Sequence, residues 1–121
     1  MPVNNKNFAQ DLEKRTKQFA LQIIRLSAAM SKSPEALVIR NQITKSGTSV
    51  GANYRESNRA RSRADFMNRI KICESEASET QYWLELILET GWLPREKVAA
   101  AHSECSELLA IFTSIGKKKK V

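Results

Sequence analysis

Proline and glycine are scarce in this chain, three and four residues in 121. Tight turns draw on those two residues, so their scarcity favours a few long regular elements. Histidine occurs once and cysteine twice, at Cys73 and Cys105. Both cysteines sit within apolar patterns and no CxxC pair exists. They are too few for a zinc site or a disulfide framework, and they read as reduced, small core residues. The lone His102 follows Ala101 and has no recognisable nucleophile set beside it. Carboxylate-bridged di-iron bundles need Glu-x-x-His motifs, and none occurs here, because residue 99 is alanine. No catalytic residue, metal ligand or cofactor-binding residue is therefore expected, and the chain reads as a non-enzyme. No apolar run approaches the roughly 20 residues of a membrane span. The opening "MPVNNKNFAQ" has no hydrophobic signal core. A cytoplasmic protein with no membrane partner is the expectation.

Acidic residues are outnumbered by basic ones over residues 1–71. Residues 1–71 hold 14 Lys or Arg against 5 Asp or Glu, a net of +9. Residues 72–116 hold 2 against 8, a net of −6, and the tail Lys117, Lys118, Lys119 and Lys120 adds +4. The whole chain carries +7. Charge segregated in this way favours a polyanionic partner.

What the chain does have is helical periodicity. Phe8, Leu12, Phe19, Ile23, Leu26 and Met30 recur at steps of three, four or seven. Ala36, Ile39, Ile43, Ser46, Val50 and Tyr54 form a second stripe. Phe66, Ile70, Cys73, Ala77, Thr80, Leu84 and Ile87 form a third, and Val98, Ala101, Cys105, Leu108, Phe112 and Ile115 a fourth. Ser33-Pro34-Glu35 and Ser62-Arg63-Ala64-Asp65 read as helix starts. Gly91 and Gly116 read as C-terminal caps, and Pro94 can open the last helix. The spacing predicts helices over 7–31, 34–58, 62–90 and 94–115. Short connections make successive helices antiparallel. The predicted fold is all-α: an antiparallel up-down-up-down four-helix bundle over residues 1–116, followed by a basic C-terminal tail, 117–121.

The stretch "KSGTSVGANYRES" (residues 45–57) resembles a loop by composition. Yet Ser46, Val50 and Tyr54 continue the second stripe without a phase break, so helix is predicted. A phosphate-binding loop would need other glycine spacing and a preceding strand. Two mid-helix glycines cost roughly 1 kcal/mol each relative to alanine. Gly47 and Gly51 share a face, so close approach of another helix is expected, from the same bundle or a neighbouring subunit.

"KSGTSVGANYRES", "SRADFMNRIKI" and "SEASETQYWLEL" resemble the four-helix bundle proteins encoded in 23S ribosomal RNA intervening sequences. The likeness runs from about Ile39 to Trp92. Lys45, Ser46, Thr48, Ser49, Ala52, Asn53 and Glu56 match its first part, and Phe66, Lys71, Glu79 and Thr80 the rest. Ser57 stands where the family often has glycine, and Tyr54 where it has an apolar residue. The resemblance implies a homo-oligomeric ring, often a pentamer, with no enzymatic activity and no cofactor. It extends to the accessory proteins of diversity-generating retroelements, which bind nucleic acid and a reverse transcriptase. Those two are the partners it implies besides the chain itself.

Antiparallel topology would gather Lys6, Arg55, Arg59, Arg61, Arg63 and Lys117–Lys120 at one pole, beside the N-terminus of the third helix. Such a pole suits RNA or DNA phosphates. No aromatic platform for bases is expected there, which argues against sequence-specific reading. Asn53 and Glu79 lie near the core stripes and are candidates for a structural polar network. Leu21, Ile24 and Ala28, with Ile72, Trp83 and Leu86, form extra apolar lines. Of these, Leu21, Ile24, Ile72, Trp83 and Leu86 are the candidate oligomer interface. The rival function is a protein-interaction scaffold, or a ring-forming accessory protein, without direct nucleic-acid binding.

Overall fold

The computed structural model describes residues 5–118. Four helices run in order: α1 (Asn5–Ala29), α2 (Pro34–Ser57), α3 (Arg63–Thr90) and α4 (Arg95–Lys117). No strand occurs among the described residues. Each helix packs beside its sequence neighbours, α4 returns beside α1, and none lies close to its diagonal opposite. The architecture is the antiparallel up-down-up-down bundle. No helix is long and apolar enough to cross a membrane, among the described residues.

Local chemistry sets the helix ends. Ser33 takes an extended conformation, its hydroxyl accepts the Ala36 N–H at 3.2 Å, and Pro34 occupies the first turn. Ser62 does the same for α3, accepting the Asp65 N–H at 3.0 Å. Gly91 ends α3 at φ 74°, a left-handed conformation that costs a side-chain-bearing residue about 1–2 kcal/mol. Gly116 does not end α4, contrary to the sequence expectation. The helix continues through it to Lys117, and Gly91 alone among the described residues has positive φ. Half-buried Ile115 still packs on the core one residue earlier, and a lysine suits a helix C-terminus.

The four stripes meet in one core. Phe19, Ile23, Ile43, Val50, Ile70, Leu84, Leu108 and Phe112 are essentially inaccessible to solvent. Polar core residues are satisfied locally. The Thr80 hydroxyl lies 2.8 Å from both Ser46 Oγ and the Glu76 carbonyl oxygen, tying α3 to α2. The two glycines of α2 face α1. A Cβ at Gly47 would lie 2.8 Å from Ile23 Cγ2, and one at Gly51 would lie 3.0 Å from Thr16 Oγ1. The close approach is thus within one chain. α1 and α4 form the least extensive contact. Arg15 clasps that seam. Its Nε and an Nη donate to Glu104 at 2.7 and 2.8 Å, and the same Nη reaches Glu107 at 2.6 Å.

Candidate nucleic-acid interface

Antiparallel packing puts the start of α1, the α2–α3 turn and the end of α4 at one pole. Arg55 lies in the last turn of α2, Arg59 and Arg61 in the turn, Arg63 at the first position of α3, and Lys117 and Lys118 at the end of α4. All six are exposed, and among the described residues none of them enters an ion pair. Lys6 stands at the start of α1 on the same pole. Lys119 and Lys120 lie outside the described residues.

The turn itself is well tied. Arg59 N–H donates to Glu56 O at 3.0 Å and Ala60 N–H to Ser57 O at 3.1 Å. The Asn58 amide donates to Glu13 Oε2 at 2.8 Å, which draws a carboxylate of α1 toward the pole. Glu56 and Asp65 are the other acids close by. Cations remain in excess, and the potential is positive. At α3, Ser62 already occupies the Asp65 and Phe66 N–H groups, through its hydroxyl and its carbonyl. The Arg63 and Ala64 N–H groups are left to point toward an anion.

Aromatic placement differs from the sequence expectation at one residue. Tyr54 is buried, with its ring centroid 5.7 Å from that of Phe112, and Phe66 is half-buried. Phe8, read above as core, is 44% exposed and stands three residues into α1 at the basic pole. Its stripe leaves the core because Glu13 already lies beside Asn58, just past the end of α2, so that α1 begins to outrun α2 there. The heptad-like spacing carries no sign of that overhang.

The opposite pole is closer to balance. Lys32, Arg95 and Lys97 meet Glu35, Glu89 and Glu96, and Arg25 joins them beside Lys97 in a groove of about 320 Å³. Sequence reasoning omitted Arg25, because it lies one turn before the helix end.

Asn53 and Glu79 are not joined within the chain. Half-buried Asn53 donates to Ser49 O at 2.9 Å and accepts from Arg69 of α3 at 3.4 Å, so it links two helices. Glu79 is exposed and accepts the Trp83 indole N–H at 3.1 Å. Of the candidate interface residues, Ile24 (44%) and Ile72 (39%) are exposed, whereas Leu21, Trp83 and Leu86 are half-buried. Leu37, Val38 and Tyr82 are also exposed and were missed. Each falls outside its helix's core stripe, which was the available signal. His102 Nε2 lies 3.2 Å from Glu85 Oε2 between α4 and α3.

Burial pushes the Cys73 and Cys105 thiols up to about 12. Each donates to a backbone carbonyl of the preceding helix, Val50 and Ala77 respectively. Both act as core residues.

The model of the 23S rRNA-intervening sequence protein family matches residues 10–114. Among solved structures, the chain is similar to a protein of unknown function from the S23 ribosomal protein family of Bacteroides thetaiotaomicron VPI-5482. The two share 38% identity and superpose with a TM-score of 0.80, over 87% of this chain and 97% of that one. No curated protein matches the chain.

Proposed function

The chain belongs to the 23S rRNA-intervening sequence protein family, and from that premise we propose that it is a cytoplasmic, homo-oligomeric, non-enzymatic bundle whose basic pole binds the phosphate backbone of RNA or DNA. One observation carries the reading. Six exposed cations, drawn from residues 55–63 and from the end of α4, stand together at one end, and among the described residues none of them pairs with a carboxylate. Arginine binds phosphate bidentately, and the open N–H groups of α3 add to the attraction. Contacts of this kind give affinity with little sequence preference. Phe8 adds one stacking surface beside them, which favours single strands over duplex.

Binding measured against salt tests this. Affinity should fall steeply between about 50 and 200 mM salt. Changing Arg59, Arg61 and Arg63 together to glutamine should lower the slope of log K against log salt by roughly two to three units, with helicity unchanged. Absence of binding to any RNA or DNA at low salt would remove the proposal.

A second reading has its own support. Val38 and Tyr82 expose 59% and 53% of their surface, and α3 is rich in carboxylates. A protein-interaction scaffold, with a partner such as a reverse transcriptase, would use that surface and would show no such salt dependence.

A further inference from the structure

The seam between α1 and α4 changes character along its length. Midway, Arg15 of α1 faces Glu104 and Glu107 of α4 and pairs with both. Ten residues on from Arg15 is Arg25, and ten back from Glu107 is Lys97. The two helices run antiparallel, so this step of about 15 Å along each puts cation opposite cation. Arg25 and Lys97 line one groove of about 320 Å³, at the pole remote from the α2–α3 turn. Glu35, Glu89 and Glu96, the acids of that pole, do not line it. Among the described residues neither cation enters an ion pair or a side-chain hydrogen bond.

The rest of the groove is largely apolar. Leu26 is buried, half-buried Leu93 packs on the core, and Pro94 follows it at the start of α4. Core packing therefore fixes the floor in place. Ala29 of α1 and Ala100 of α4 also line the groove, and their side chains are too short to close a seam that is the least extensive of the four. Like charges facing each other across an apolar floor repel, and an anion between them reverses the sign of the interaction. A bare inorganic anion would leave the floor uncovered. An uncharged apolar molecule would leave the cations unmatched. The complementary occupant carries both features. The volume falls at the low end of the roughly 300–1,000 Å³ of small-molecule sites, which suits a small molecule better than a helix of a partner.

We infer that the α1–α4 groove binds a small apolar carboxylate. Its head group lies between the Arg25 guanidinium, which can grip both oxygens, and the Lys97 ammonium. Its hydrocarbon body covers Leu26, Leu93 and Pro94 and is removed from water there. Such a ligand joins α1 to α4 as Arg15 does further along, so it reinforces the least extensive seam. The site stands apart from the nucleic-acid reading, which uses the opposite pole.

Octanoate is the probe. Acetate serves as the anion without a body, and octan-1-ol as the body without a charge. Titration of the full chain followed by amide NMR should show saturable octanoate binding at millimolar concentration, with the largest shifts around Arg25 and Lys97. Acetate and octan-1-ol should each bind more weakly by roughly tenfold or more. Arg25→Gln and Lys97→Gln should each weaken octanoate by roughly tenfold. Ala100→Leu, which fills the groove and leaves both charges, should weaken it as well. Circular dichroism verifies that each variant is folded. Saturating octanoate should raise the melting temperature and slow hydrogen exchange in α1 and α4. Changing Arg59, Arg61 and Arg63 to glutamine should leave octanoate affinity unchanged. The inference is overturned if octanoate does not saturate, if acetate or octan-1-ol binds equally well, or if affinity falls in the Arg59, Arg61 and Arg63 variant rather than in the groove variants. None of these outcomes bears on nucleic-acid binding, so the two readings fail separately.

Discussion

Gly47 and Gly116 are both helical glycines, yet their surroundings are opposite. Alanine at Gly47 would drive a methyl against the branch point of Ile23, which cannot swing away as a chain end can. Overpacking costs about 1–3 kcal/mol, against roughly 1 kcal/mol gained in helix propensity. Gly47→Ala should therefore lower stability by about 1–2 kcal/mol in urea unfolding. A Cβ at Gly116 meets nothing within 4 Å, and Gly116→Ala should raise stability by up to about 1 kcal/mol. The two cysteines give a second prediction at this scale. Their thiols titrate near 12 when folded and near 9 when unfolded, so the folded chain holds protons that the unfolded chain releases. Stability is full below about pH 9 and declines as pH rises toward 12, and removing the thiols by Cys→Ala should reduce that decline. At neutral pH both should resist alkylation until the chain unfolds, a point checked by mass spectrometry across a denaturant series.

Single helices were legible because their signals are local. Three of the four starts carry a cap or proline in sequence, and the observed ends fall within two residues of the expected ones. Ser62→Ala should cost about 1 kcal/mol, because it releases the Asp65 N–H at the start of α3. What a helix touches was less legible. Gly47 and Gly51 announced a close neighbour, but only packing named it as α1. The same holds for Arg15, an ordinary cation in sequence that proves to be the clasp between α1 and α4. Because that seam is the least extensive of the four, Arg15→Ala should cost about 1 kcal/mol and raise hydrogen exchange first in α1 and α4.

For the whole molecule the governing feature is polarity along the axis. One end collects cations, the other is nearly balanced, and α3 presents carboxylates along its side. Self-association, as proposed above, would couple stability to concentration. The melting temperature should then rise as protein concentration is raised, whereas a monomer would show no change. High salt should weaken the phosphate contacts at the basic pole.

Periodicity, caps and the shortness of the connections determined the four antiparallel helices, because each depends on residues within a turn or two of one another. The convergence of Arg55–Arg63 with Lys117 and Lys118 followed from chain direction alone. The exposure of Phe8, the partner of each α2 glycine and the separation of Asn53 from Glu79 were decided only by the tertiary structure. Each depends on where one helix ends relative to another, and on the rotation of each about its axis. Those quantities are set jointly by all four helices as they pack.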